Sequence, residues 1–267
     1  MITVGIDVGT RTTKIAFMED GSKILLLNSI ASGYRFDEAA AKLLQSGLEE
    51  LGLRRDDVGM IITTGFGRYR IQFRDLNVTE LTAHAKGAKY FYPQTRTVID
   101  VGAGNSRVSK VDSNGRVMAF KVSDKCAAGG GGFLEKIAYY SGLEVDKIGD
   151  IALESKNPVE ISTVCSIFAE SEIINLMTQE VPLPDILMGA HRSLVGRISV
   201  MVKAVKVEPE VTLTGGLVRN KAFVKVLEER LGLKVNADDK LYYSGAVGAA
   251  ILAWKRLQKK GRVEGIA

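Results

Sequence analysis

Three short glycine-containing turns follow apolar, strand-like stretches, and their residue types suit the binding of phosphate. The first turn spans residues 7–14 (DVGTRTTK) and the second spans residues 100–105 (DVGAGN). Glycine lets backbone amides approach an anion closely, and amide and threonine hydroxyl groups donate hydrogen bonds to phosphate oxygens. The third turn, residues 215–216, offers a flat backbone surface for a base or ribose. The predicted nucleotide-binding residues are Gly9, Thr10, Thr12, Thr13, Lys14, Gly102, Gly104, Gly215 and Gly216.

Two carboxylates, Asp7 and Asp100, stand where the first two of these turns begin. Mg²⁺ keeps several of its waters and takes few protein carboxylates. Asp7 and Asp100 are therefore candidate magnesium-holding and catalytic residues, each acting through bound water.

The chain has two cysteines, Cys126 and Cys165, which lie 39 residues apart and form no Cys-x-x-Cys motif. Each precedes a predicted helix, whose dipole stabilises a thiolate near its N-terminus. One chain cannot supply four thiolates to a metal cluster, whereas two chains that meet at a two-fold axis can. The alternative is that both thiols are small buried apolar groups in a reducing compartment.

One order of elements (strand, Asp-Gly turn, strand, hairpin, strand) begins near residue 2 and again near residue 97. Strands are predicted at residues 2–8, 12–18, 23–30, 58–63, 106–111, 116–122, 210–213 and 234–235, with one more from residue 97. Helices are predicted at residues 37–51, 79–90, 132–141, 146–154, 167–178, 185–205, 219–231 and 244–257. At roughly 150 residues per domain, 267 residues fit two lobes. We expect an α/β protein with duplicated mixed-sheet lobes: residues 1–95 completed by the C-terminal helix 244–267, and residues 96–243, which carry the cysteines.

Composition excludes several classes of protein. Hydrophobic residues make up 46% and charged residues 25% of the chain, which is typical of a globular protein. The longest charge-free run, residues 241–254, has 14 residues, fewer than the ~18 of a membrane span. Met1 leads directly into a strand without a signal-peptide pattern, so we expect a cytoplasmic protein with no membrane partner. The net charge is +5, and basic residues crowd the C-terminal tail. No aromatic residues are interleaved with them to stack on bases, which argues against nucleic-acid binding.

In their order, these segments resemble the superfamily of acetate kinase, sugar kinases, heat-shock protein 70 and actin, which binds ATP between two ribonuclease H-like lobes. Four stretches point to a narrower family: DKCAAGGGGFLEKIA, STVCSIFAESEII, TTGFGR and TAHAKGA. They are similar to the ATP-dependent activators of 2-hydroxyacyl-CoA dehydratases and the ATPase subunits of benzoyl-CoA reductase (BadF/BadG/BcrA/BcrD type). The resemblance covers nearly the whole chain.

This resemblance implies an actin-like ATPase with ATP, Mg²⁺ and a [4Fe–4S] cluster as cofactors. Cys126 and Cys165 of two subunits would hold one shared cluster, and the loop containing Gly130 and Gly131 would lie near the nucleotide. ATP hydrolysis would drive one low-potential electron to a partner enzyme. The implied partners are a second identical or paralogous subunit, a dehydratase or reductase catalytic component, and ferredoxin or flavodoxin as electron donor.

The second phosphate segment departs from the family pattern. The usual segment is Asp-Ile-Gly-Gly-Gln-Asp, whereas here Gly104 and Asn105 replace the Gln-Asp pair. Asn105, a third candidate catalytic residue, can hydrogen-bond but carries no charge. Two alternatives stay open: a small-molecule kinase of the same superfamily, and a nucleotide-binding subunit that does not hydrolyse ATP. P-loop and Rossmann folds are not favoured, because their glycine motifs do not follow the first strand.

Smaller candidates have structural interpretations of equal or greater weight. His84 lies on a predicted helix, either near the phosphates or as a packing residue. Glu170 and Glu172 lie in a first helical turn, where carboxylates complement the helix dipole or bind magnesium. Arg68 and Arg70 are candidates for a partner-facing surface.

Overall fold

The computed structural model describes residues 1–123, 129–163 and 166–264. Cys126 and Cys165 both lie outside these residues. The chain forms two compact units. Unit 1 comprises Met1–Pro93, Ser113–Val117 and Tyr243–Ala267, and unit 2 comprises Gln94–Asp112 and Met118–Tyr242.

The regular elements follow the predicted alternation of strands and helices. The strands are β1 (Ile2–Val8), β2 (Thr12–Glu19), β3 (Lys23–Ala31), β4 (Val58–Thr64), β5 (Leu76–Asn77), β6 (Thr97–Val101), β7 (Ser106–Val111), β8 (Val117–Val122), β9 (Val211–Gly215) and β10 (Val235–Asn236). The helices are α1 (Phe36–Leu51), α2 (Glu80–Phe91), α3 (Gly132–Tyr140), α4 (Ile148–Ala152), α5 (Ser166–Thr178), α6 (Leu183–Val205), α7 (Lys221–Leu231) and α8 (Ser244–Glu264).

The sheets of the two units share one topology. Their strand orders are β3-β2-β1-β4-β5 and β8-β7-β6-β9-β10. In unit 1, β1 pairs antiparallel with β2 and parallel with β4. In unit 2, β6 pairs in the same two ways with β7 and β9. The predicted α/β class with a duplicated mixed sheet is confirmed.

Helices cover both faces of the sheet in unit 1. One face packs against α1 through apolar side chains such as Ile6, Phe17 and Leu43. On the other face, Ala16 and Met18 of β2 pack against α8. Phe17 and its neighbours Ala16 and Met18 reach opposite faces because alternate residues of a strand point to opposite sides of the sheet.

Glycines bring α2 and α8 into backbone contact. A Cβ added to Gly248 would lie 1.8 Å from the carbonyl oxygen of Ala83, and one added to Gly87 would lie 2.0 Å from that of Ser244. Only glycine permits an approach this close. As a result, the N-terminus of α8 lies beside the turn of α2 that carries His84.

Some helix ends differ from the sequence-based prediction. The helix predicted from residue 79 begins at Glu80, and Thr79 caps it: the Thr79 Oγ1 accepts a hydrogen bond from the amide of Thr82 at 3.3 Å. The last helix was predicted to end near residue 257, where its apolar periodicity stops, but α8 continues to Glu264. Apolar spacing alone therefore gave the wrong end for a helix whose final turns are basic. In the part of the chain that is described, no helix combines the length and apolar character needed to cross a bilayer.

Candidate functional site

Asp7 lies at the carboxyl end of β1 and is 5% exposed. Lys14 faces it on β2, with its Nζ 3.6 Å from Asp7 Oδ2. On the opposite side, the parallel strand β4 places Thr64 in register with Asp7. The imidazole of His84 approaches from α2, with Nε2 3.8 Å from Asp7 Oδ2. Asp7 is thus a buried carboxylate with a lysine nitrogen and an imidazole nitrogen within 4 Å, and with Thr64 beside it on the next strand.

The turn after Asp7 is tight and is held by hydrogen bonds within unit 1. The amide of Gly9 donates to the carbonyl oxygen of Thr12 at 3.2 Å. Ser32 Oγ donates to the carbonyl oxygen of Gly9 at 2.7 Å and lies 2.8 Å from Thr13 Oγ1. The Thr13 hydroxyl is therefore engaged inside unit 1, whereas Thr10 is exposed and Thr12 partly exposed.

Asp100 occupies in unit 2 the position that Asp7 has in unit 1. It lies on β6, is 4% exposed, and faces Arg107 on β7 and Thr214 on β9. Arg107 Nη1 lies 2.7 Å from Asp100 Oδ2, and Thr214 Oγ1 donates to Asp100 Oδ1 at 3.4 Å. The predicted duplication therefore extends to the residues around the two carboxylates. The ion pairs differ, because Arg107 lies 2.7 Å from Asp100, whereas Lys14 lies 3.6 Å from Asp7.

The glycine loop at residues 129–132 packs against the second turn. Gly131 donates its amide proton to the carbonyl oxygen of Gly102, and Gly132 donates to that of Ala103, both at 2.9 Å. A Cβ on Gly130 would lie 2.6 Å from the carbonyl oxygen of Gly102. Gly102 itself donates to the carbonyl oxygen of Asn105 at 3.0 Å, while Gly104 is exposed. The loop thus supports the second turn directly, and the amides of Gly131 and Gly132 are engaged in this contact.

A fourth glycine turn follows β4, within the TTGFGR stretch, and was not among the three predicted turns. Gly65 has a φ of +89°, and Gly215, its counterpart after β9, has a φ of +88°. A Cβ on Gly65 or Gly215 would lie 2.5 Å from the carbonyl oxygen of Val8 or Val101, respectively. The sequence signal was present, since Thr-Gly follows an apolar strand at both places. Gly216 is exposed, with open space around its Cβ position.

Several smaller candidates serve internal structure. Arg68 forms an ion pair with Glu80 at 2.9 Å and donates to the carbonyl oxygen of Gly65 at 2.9 Å, which fixes the fourth turn. Glu170 on α5 pairs with Lys136 on α3 at 2.9 Å. Glu172 accepts a hydrogen bond from the amide of Ser162 at 3.0 Å. Arg70 is exposed.

The donor sets of the two carboxylates differ in their suitability for a hydrated cation. The nearest cation stands 3.6 Å from Asp7, and the hydroxyls of Thr64 and Ser244 are buried without hydrogen-bond partners. Such oxygen groups fit the hydration shell of Mg²⁺. Asp100 is already neutralised by Arg107, which leaves it less free to hold a cation. Among the described residues, no three His, Cys, Asp or Glu side chains are grouped as a ready metal-ligand set.

Two duplicated mixed sheets, each with an acidic glycine turn at the carboxyl end of its first strand, define the actin-like class of ATPase fold. A glucokinase of the ROK family from Streptomyces griseus shares this fold alone, with a TM-score of 0.59 and 14% identity over 96% of this chain and 100% of that one. Residues 4–253 match the family model for the BadF/BadG/BcrA/BcrD ATPase family. The chain belongs to this family.

Two relatives are similar over nearly their whole length. The activator of the 2-hydroxyisocaproyl-CoA dehydratase from Clostridium difficile, solved with bound ADPNP, has a TM-score of 0.92. Its sequence is 34% identical, and the match covers 98% of this chain and 97% of the activator. One of the subunits of the benzoyl-CoA reductase from Thauera aromatica is 34% identical over 98% of this chain and 96% of its own length.

Proposed function

We propose that this chain is an ATP-dependent, one-electron activator of a 2-hydroxyacyl-CoA dehydratase or benzoyl-CoA reductase component. The observation that carries the proposal is the extent of the family match, residues 4–253. The two strand-end aspartates and the two cysteines lie within this range. The chemistry on the acyl-CoA substrate then belongs to the partner enzyme.

In this proposal the first turn binds phosphate through the amides of residues 10–12 and the hydroxyls of Thr10 and Thr12, while Gly9 shapes the turn through its bond to Thr12. Lys14 supplies positive charge, and Asp7 holds Mg²⁺ through its waters. Support comes from the exposure of Thr10 and from the distances around Asp7. Thr13 contributes by fixing the turn through Ser32.

The second and third turns would complete the nucleotide contacts. The exposed Gly104 would present its backbone to phosphate, Gly102 would shape the second turn through its bond to Asn105, and Gly215 and Gly216 would accept the adenosine. Gly130 and Gly131 would act by supporting the second turn, since their loop is bonded to it.

Cys126 and Cys165 would each supply one thiolate, so that two chains together hold one [4Fe–4S] cluster. Such a cluster supplies a low-potential, one-electron carrier, reduced by ferredoxin or flavodoxin. The helices that follow the cysteines, α3 and α5, are linked by the Lys136–Glu170 ion pair. This link would couple the two helices that follow the cysteines.

A second candidate, a protein that binds ATP without hydrolysing it, is favoured by the surroundings of Asp100. The carboxylate is paired with Arg107 at 2.7 Å, and the uncharged Asn105 stands where the family commonly has aspartate. Both features weaken the second turn as a site for Mg²⁺ or for activating water.

The proposal is tested by adding the anaerobically purified chain to an inactive 2-hydroxyacyl-CoA dehydratase component with reductant, Mg²⁺ and ATP. Dehydration activity and phosphate release are followed together. We expect both to require ATP, and both to fall in Asp7→Asn. Tight ATP binding without phosphate release identifies the non-hydrolysing protein. Transfer of the γ-phosphate to a small hydroxyl substrate identifies a kinase.

A further inference from the structure

Among the residues of unit 1 that the structure describes, two hydroxyl groups are buried without a hydrogen-bond partner. They are Thr64 Oγ1 and Ser244 Oγ, and both residues are 0% exposed. Buried polar groups in folded proteins are nearly always paired with protein or with ordered water, because an unpaired one carries its full desolvation penalty. Two such groups in one region point to a shared polar ligand.

Both residues border Asp7. Thr64 is the register partner of Asp7 on the parallel strand β4, so the two side chains lie on the same face of the sheet. Ser244 is the first residue of α8, and the next residue, Gly245, is so close that an added Cβ would lie 2.7 Å from Asp7 Oδ2. The same Cβ would lie 2.8 Å from His84 Nε2.

Two contacts of Asp7 are too long for direct hydrogen bonds. Lys14 stands 3.6 Å and His84 3.8 Å from Asp7 Oδ2. Polar groups at such a separation are commonly bridged by water. In unit 2, by contrast, Thr214 donates directly to Asp100, and Thr214 is not among the unpartnered groups.

We propose that the hydroxyls of Thr64 and Ser244 and the imidazole of His84 bind one ordered water against the Asp7 carboxylate. His84 is thereby a positioning residue that fixes the orientation of Asp7. An ordered water typically has two to four polar partners, and this site offers four. The expected effect on Mg²⁺ binding rests on the proposed function, in which the Asp7 carboxylate must be oriented to hold a hydrated cation.

The first arm of the test measures thermal unfolding without nucleotide for Thr64→Val and Ser244→Ala. If each hydroxyl holds the water, its removal takes a partner from the water and lowers the Tm by about 2–4 °C. If the hydroxyl is buried without any hydrogen-bond partner, an apolar replacement of similar shape leaves the Tm unchanged or raises it. The second result overturns the proposal.

The second arm measures the Mg²⁺ concentration that gives half-maximal binding of ADPNP, a non-hydrolysable ATP analogue. Loss of a group that orients a metal-site residue typically costs 10–100-fold in metal affinity, so we expect a rise of roughly tenfold or more for His84→Ala. His84→Gln, which retains an N–H donor, should restore most of the loss. An unchanged Mg²⁺ requirement in His84→Ala overturns the positioning role.

The matched control is Thr63→Val, on the neighbouring residue of β4. The Thr63 hydroxyl donates to the carbonyl oxygen of Arg68 at 3.0 Å and points to the other face of the sheet. We expect its loss to lower the Tm without changing the Mg²⁺ requirement. Failure of the wild-type chain to bind Mg–ADPNP would contradict the proposed function, while the first arm would still decide the water site.

Discussion

Arg107 Nη1 lies 2.7 Å from Asp100 Oδ2, and the side chains of Arg107 and Asp100 are 14% and 6% exposed. The pair joins adjacent strands, because Asp100 and Arg107 face each other across β6 and β7. Removing one partner from a buried pair leaves the other charge buried without its counter-ion.

We therefore expect Arg107→Met to lower the free energy of unfolding by about 3–5 kcal/mol. The double variant Asp100→Asn/Arg107→Met should regain most of this loss, since it buries no unpaired charge. Urea unfolding of the wild type, both single variants and the double variant measures the coupling. Additive losses would show that the pair does not act as a unit. Lys221→Met is the control, because the Lys221–Asp150 pair is well exposed and its removal should change stability little.

The paired turns at Gly65 and Gly215 should not tolerate a side chain. Each has a positive φ and approaches the backbone of the neighbouring strand. We expect Gly65→Ala and Gly215→Ala to destabilise the chain by about 1–3 kcal/mol or more, from backbone strain and steric overlap. Gly216→Ala should be nearly neutral, because nothing lies within 4 Å of its Cβ position. Denaturant unfolding of the three variants checks this order, and equal losses at Gly215 and Gly216 would contradict it.

His191 should make unfolding sensitive to mild acid. Its ring is buried, with Nδ1 2.7 Å from the carbonyl oxygen of Leu187 and Nε2 3.1 Å from Asn220 Oδ1. Burial lowers the pKa of His191 below its usual 6.5, although both hydrogen bonds oppose this shift. The native state therefore binds fewer protons than the unfolded state, so stability is fully present above about pH 6.5 and falls as the pH drops towards the native pKa.

His191→Gln removes this titration. We expect the variant to lose less stability than the wild type between about pH 7.5 and about pH 5.5, the range in which histidine titrates. Urea unfolding at several pH values measures the difference. Parallel pH profiles for the two proteins would show that His191 does not contribute.

The sequence predicted the elements of this fold well where apolar periodicity and turn residues agreed. β1, β2 and α1 begin and end within a residue or so of their predicted limits. Largely apolar runs mark the two strands, apolar residues at helical spacing mark α1, and a glycine follows shortly after each element. The duplication was visible because Asp-x-Gly follows an apolar strand twice. The short strands β5 and β10, with two residues each, carry much weaker periodicity, and β5 was missed.

The surroundings of the two aspartates were less accessible to prediction. Arg107 and Lys14 lie seven residues after their carboxylates, yet their pairing depends on strand register, which a single sequence does not specify. Thr64 comes close to Asp7 through the parallel strand β4. Ser244 comes close through α8, which begins 180 residues after Thr64. His84 matched the family motif, but its distance from Asp7 follows from the glycine contacts between α2 and α8.

The proposed cluster is tested most directly by anaerobic iron and sulfide analysis with EPR of the reduced protein. Four thiolates from two chains would hold four irons, so we predict about two iron atoms per chain, lost in Cys126→Ser and in Cys165→Ser. A wild-type protein that binds Mg–ATP but contains no iron after careful anaerobic reconstitution would contradict the account.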